Sequence, residues 1–142
     1  MAAARERLAA VTGLTFTPVT SMHFENFEDS RGRRPIELAI CYSLEGPPYL
    51  ELVQSDPLGG VFGSQLGEGF HHLGFHDEDV SARMDSLEAE HGIHSASRRF
   101  GNRRADRLHA FLTQAPDLLG IRLEIVDEQG RIALEGWLSS LR

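Results

Sequence analysis

The sequence predicts an α+β fold with one curved sheet, on three observations. Short apolar runs bounded by glycine, proline and acidic turns recur along most of the 142 residues, as strands do. Two stretches, residues 2–11 and the segment after Asp77-Glu78-Asp79, instead hold helix formers and stop at Gly13 and Gly92. Three apolar runs carry an acid or imidazole that would be costly to bury unused. They are Tyr49-Leu50-Glu51-Leu52-Val53, Gly69-Phe70-His71-His72-Leu73-Gly74-Phe75 and Ile121-Arg122-Leu123-Glu124-Ile125-Val126. Ligand-type side chains on three strands point to a site on the inner face of the sheet.

The elements follow in order. Residues 2–11 form a helix, and residues 14–19 a strand that ends near Pro18. Residues 21–35 are dense in charge, and Asp29-Ser30-Arg31-Gly32 within them reads as a turn or loop. Residues 36–44 and 49–54 are hairpin partners around Glu45-Gly46-Pro47-Pro48. A connection with Gly59, Gly60, Gly63, Gly67 and Gly69 is an active-site loop or a linker. Residues 70–76 form a strand, and Asp77-Glu78-Asp79 opens a helix with Val80, Met84 and Leu87 on one face. Residues 95–100, 107–113 and 121–126 are strands, and Asp127-Glu128-Gln129-Gly130 turns the chain into a last strand over 131–138. Both halves share an order of elements, except that no strand precedes the first helix.

Size and composition narrow the class. With 41% apolar residues the chain has material for a real core, and it is expected to be a single domain over 1–142. Twenty-one acidic and 14 basic residues give a net charge of -7, which disfavours duplex nucleic acid as a partner. The lone Cys41 has no internal disulfide partner and reads as a small core hydrophobe in a reducing compartment. No apolar run at the start is long enough for a signal peptide or a membrane span, so a cytoplasmic protein without membrane contact is expected.

The order Leu50-Glu51-Leu52-Val53-Gln54, then Gly69-Phe70-His71-His72-Leu73-Gly74-Phe75 with an acidic helix start, resembles the vicinal oxygen chelate superfamily. That superfamily includes glyoxalases, bleomycin resistance proteins and extradiol dioxygenases. His109-Ala110-Phe111-Leu112, leading through Gln114-Ala115-Pro116 and Gly120 to Leu123-Glu124-Ile125-Val126, completes the likeness, which is nearest to the methylmalonyl-CoA epimerase branch. The resemblance implies paired βαβββ modules forming a cupped mixed sheet, here 1–66 and 67–142, with the first strand of the first module missing. It also implies a divalent metal (Zn, Mn, Co, Ni or Fe) held by Glu51, His72 and Glu124. A fourth ligand would belong to the missing strand: the interval from His72 to Glu124, counted back from Glu51, falls before Met1. Truncation, natural loss or a strand supplied by another subunit would each account for that, and a homodimer is expected to cover the exposed edge. His23 fits no ligand position and reads as a loop or pocket residue.

The expected chemistry is glyoxalase-like or epimerase-like. An enolate of a small oxygenated, possibly CoA-linked, substrate is stabilised while Glu51 or Glu124 moves a proton. The alternative is a noncatalytic small-molecule binding or resistance protein of the same fold. Strand alternation sets His71 and His72 on opposite faces, leaving His71 and His109 as second-shell or pocket residues. Arg98, Arg99, Arg103 and Arg104 are candidate anion-binding residues, although alternation again separates Arg98 from Arg99. Phe62, Phe70, Phe75, Phe111 and Trp137 are expected in the core, with Trp137 also a candidate interface residue.

Overall fold

A computed structural model describes residues 1–142 apart from Ser55 and Arg103. The fold is α+β: helix α1 (Ala2–Thr12), strands β1 (Thr20–Asp29), β2 (Gly32–Tyr42) and β3 (Glu51–Val53), then β4 (Leu73–Asp77) and helix α2 (Val80–His91). Strands β5 (Ser95–Phe100), β6 (Leu108–Thr113) and β7 (Leu123–Asp127) follow, and helix α3 (Glu128–Ser139) ends the chain. One seven-stranded sheet has the order β3-β2-β1-β5-β6-β7-β4. Its pairs are antiparallel except β4 with β7, which is parallel. Strands β3 and β4 are therefore the two edges.

Register determines which residues line the inside. Glu51 pairs with Tyr42 and Val53 with Ile40, so this face carries Ile36, Leu38, Ile40 and Tyr42 of β2. It continues through Met22, Phe24 and Phe27 of β1 to Arg99, Ala110, Leu112, Glu124 and Val126. Phe27, Ile36, Leu38, Ile40 and Leu112 are buried there together with Val61. Within the glycine-rich connection, Val61 and Phe62 drop into the concave face as a plug. On the convex face Val80, Met84 and Leu87 of α2 cover Leu108, Phe111 and Ile125. Asp79 caps that helix by accepting from Ala82 N at 3.0 Å, and Gly92 closes it at φ +63°.

Several expectations need correction. The charged stretch 21–35 is no loop: it supplies most of β1 and the start of β2, around a turn at Ser30 and Arg31. Its outward residues Ser21, His23 and Glu25 carry much of the polarity, while Met22, Phe24 and Phe27 face inward. His23 is on this strand and pairs with Glu25 at 3.1 Å. Residues 14–19 form only one bridge, Phe16 to Ser43, before Pro18. The last strand expected over 131–138 is instead helix α3. Asp127 caps it through Gly130 N at 2.8 Å, and Arg131 reaches Glu135 at 2.7 Å, a helical i,i+4 spacing. Phe70 and Phe75 are exposed rather than in the core, whereas Phe111 and Cys41 are buried. Among the described residues, no helix is long and apolar enough to cross a membrane.

The β1–β2 turn is locked by Asp29, whose carboxylate takes two bonds from Arg34, at 2.7 and 3.1 Å. Burial opposes the charge on Asp29, but Arg34 and the Arg31 backbone N–H together hold its pKa below 3.8. Asp29→Ala leaves Arg34 without its partner and should cost about 3 kcal/mol in urea unfolding. Because the folded pKa is depressed, this contribution is complete above pH 3.8 and is lost as pH falls through the folded value.

Candidate metal centre

The curl of the sheet brings its two edges together, and the site lies at that closure. Glu51 comes from edge strand β3, His72 from the residue before edge strand β4, and Glu124 from β7 beside it. His72 Nε2 lies 3.3 Å from Glu51 Oε2 and 3.5 Å from Glu124 Oε2. The three donor atoms are all within 4.8 Å of one another, and among the described residues they form the one such group. An ion bound tetrahedrally at about 2.1 Å sets its ligands roughly 3.4 Å apart, so this spacing suits a divalent cation with carboxylate and imidazole donors.

The histidine pair fixes which nitrogen faces the carboxylates. His71 Nε2 is 2.8 Å from the carbonyl oxygen of Val61, which can only accept, so that nitrogen carries the proton. In neutral His71 the other nitrogen, Nδ1, is then an acceptor. It lies 2.9 Å from His72 Nδ1, which must donate to it. His72 Nε2, facing Glu51 and Glu124, is thereby the nitrogen whose lone pair is available to a metal. Phe62 stacks on the His71 ring at 5.0 Å and holds it in place. The expected opposite facing of the two histidines does not hold, because both precede β4 and strand alternation does not govern them.

Electrostatics follow from burial and these contacts. Burial pushes the pKa of His71 down, and the neighbouring charge of His72 adds to this, so His71 is kept neutral. Burial works the same way on His72, but the Glu51 hydrogen bond and the charges of Glu124 and Glu51 outweigh it and raise its pKa above 6.5. Burial, then the charge of Glu51, raise Glu124 above 4.5. Tyr42, which the sequence did not single out, donates its hydroxyl to Glu51 Oε1. Burial and the Glu51 charge push its phenol well above its usual range, so it stays a donor. Trp137 of α3 meets the Tyr42 ring edge-on at 6.1 Å, closing one side of the hollow. A signal for Tyr42 was present: it faces Glu51 directly in the hairpin register.

The remaining candidates scatter. His109 pairs with Asp127 at 2.6 Å and not with the triad. Arg98 bonds Ser95 Oγ at 3.1 Å and approaches Glu28 at 3.4 Å, whereas Arg99 turns inward over Phe24. Arg104 is exposed beside Asp106, and Arg103 lies outside the described residues.

His71→Leu removes the acceptor that orients His72. It should weaken divalent metal binding about 10- to 100-fold by calorimetry, with the thermal stability of the metal-free protein changed far less.

A sequence model of the Glyoxalase/Bleomycin resistance protein/Dioxygenase superfamily matches residues 1–111, a span that includes Glu51 and His72, with Glu124 beyond it. No curated protein and no solved structure matches the chain. A family match over most of the sequence, a curled mixed sheet and a Glu-His-Glu group at its closure agree: the chain belongs to the glyoxalase, bleomycin resistance protein and dioxygenase superfamily.

Proposed function

We propose that the protein is a metal-dependent enzyme of the glyoxalase- or epimerase-like kind, moving a proton next to a carbonyl of a small oxygenated substrate. The observation that carries this reading is the meeting of Glu51, His72 and Glu124, with Nε2 of His72 facing both carboxylates. A bound divalent cation supplies Lewis-acid polarisation of substrate oxygens and stabilises the enolate that develops. The chain's own residues divide the remaining work unequally. Glu51 is held at both oxygens, by Tyr42 and by His72. Glu124 has one side-chain contact among the described residues, through Oε2 to His72, and this lighter tethering makes it the better-placed proton carrier. Tyr42 keeps Glu51 in position and retains its own proton. Val61 and Phe62 exclude water from the inner face, where an enolate would otherwise be quenched.

The test uses metal-supplemented protein in D₂O with two probes: the hemithioacetal of methylglyoxal and a methyl-branched acyl-CoA thioester. Loss of the proton next to the carbonyl, followed by NMR, should occur with one of them. Glu124→Gln should slow it by about 100-fold or more, the range of a general base. Tight binding without exchange in any metal-loaded sample would instead favour the noncatalytic binding role.

A further inference from the structure

A separate cleft of about 460 Å³, not lined by the triad, lies between β1, β5, β6 and the first turn of α3. Arg99, Arg104 and Arg107 stand on its walls, three guanidinium groups against the one carboxylate of Asp127, in a chain of net charge -7. Two of those guanidinium groups already face a carboxylate. Arg107 and His109 both face Asp127 Oδ2, at 3.7 and 2.6 Å, and Arg104 lies 3.9 Å from Asp106. Arg99 differs: among the described residues it forms no ion pair, and its guanidinium sits 4.8 Å over the Phe24 ring. Phe24 orients the guanidinium while leaving its N–H groups unspent.

The opposite wall is the first turn of α3. Gly130 has no positive φ that demands glycine, but a Cβ there would stand 2.6 Å from Val126 Cγ1, so glycine lets this turn pack close on β7. The same Cβ would come to 3.9 Å from Arg99 Nη2, ordinary contact distance. At Gly101, a Cβ would come within 2.8 Å of His109 Nε2. Arg99 is also in line with the triad. It pairs through Ala110 with Val126, two residues along β7 from Glu124, or roughly 7 Å.

We propose that this cleft seats the anionic end of the ligand whose other end reaches the triad, Arg99 gripping a carboxylate or phosphate group through two N–H donors. The link to the triad rests on the function proposed above; the anion contact itself does not. The ligand class is therefore a small organic anion bearing its carbonyl within one short chain of the charged group.

The anion contact is tested on the metal-free protein. Inorganic phosphate and acetate are titrated separately while the Gly130 amide and Arg99 Nε–H are followed by ¹H–¹⁵N NMR. Saturable shifts at both groups are expected with one of the anions, and whichever binds more tightly identifies phosphate or carboxylate as the natural group. Arg99→Met should weaken that binding at least about tenfold, and Arg99→Lys, which keeps the charge but not the fork, by a smaller factor. Arg7→Gln, on exposed α1 and outside the cleft, should leave it unchanged. If Arg99→Met does not fold, Arg99→Lys carries the comparison. His72→Ala separates the two readings: metal binding lost and anion binding kept is expected if both hold. A wild-type protein that binds anion but no metal would remove only the function proposed above. Shifts that fail to saturate, or that persist equally in both Arg99 variants, would overturn the anion site.

Discussion

His72→Ala should lower the affinity for Zn²⁺ or Mn²⁺ by at least about 100-fold. Structural zinc binding of about 10–16 kcal/mol over four ligands amounts to roughly 3 kcal/mol for each. The imidazole is the hub of the group, since each carboxylate approaches His72 Nε2 and the two edges of the sheet meet through it. Its removal also leaves Glu51 and Glu124 facing one another without the cation between them. Calorimetric titration measures the affinity, and far-ultraviolet circular dichroism checks that the sheet survives. An affinity within threefold of wild type would place the metal elsewhere or nowhere.

Metal binding should strengthen as pH rises, by about tenfold per unit below the folded pKa of His72, because a proton and a metal compete for Nε2. That pKa lies above 6.5, so the falling limb extends to higher pH than for a free imidazole. The same shift sets the stability of the metal-free protein. A raised pKa means the stabilising contribution of protonated His72 is complete below 6.5 and is lost as pH rises through the folded value. Glu124 has the same sign, its contribution falling as pH rises from 4.5 through its own raised value. His71 runs the other way: its pKa is lowered, so its contribution is already complete above 6.5 and does not offset the loss there. Thermal melts with and without metal should therefore show a stabilisation by metal that widens from pH 6 to pH 8. A gap that narrows over that range would contradict the assignment of His72.

The three residues that meet at the candidate site were legible because a carboxylate or imidazole inside an apolar run breaks an otherwise regular pattern. Strands β2, β6 and β7 were legible because residues 36–42, 108–112 and 123–126 are apolar with one polar break each, at Glu37, His109 and Glu124. Strand β1 was hidden by its own solvent face. Met22, Phe24 and Phe27 are inward, but the register shifts between Phe24 and Phe27, so the period of two is interrupted among charged neighbours. Helix α3 was misread because Asp127 followed by Glu, Gln and Gly is as good a turn as it is a cap. What decides for helix is the pairing of Arg131 with Glu128 and Glu135, together with the full burial of Leu138. Alternation rightly separated Arg98 from Arg99, but only tertiary placement shows that Arg99 enters the hollow. For the histidine pair, alternation was the wrong rule, since the strand begins one residue later.

The most direct measurement is anomalous scattering from crystals soaked in Mn²⁺ or Zn²⁺. One strong peak is expected between Glu51 Oε2, His72 Nε2 and a Glu124 carboxylate oxygen, with His71 still bridging His72 to the Val61 carbonyl. A map from well-occupied soaks with no peak there, or with the metal held by other residues, would contradict the metal centre and the chemistry built on it.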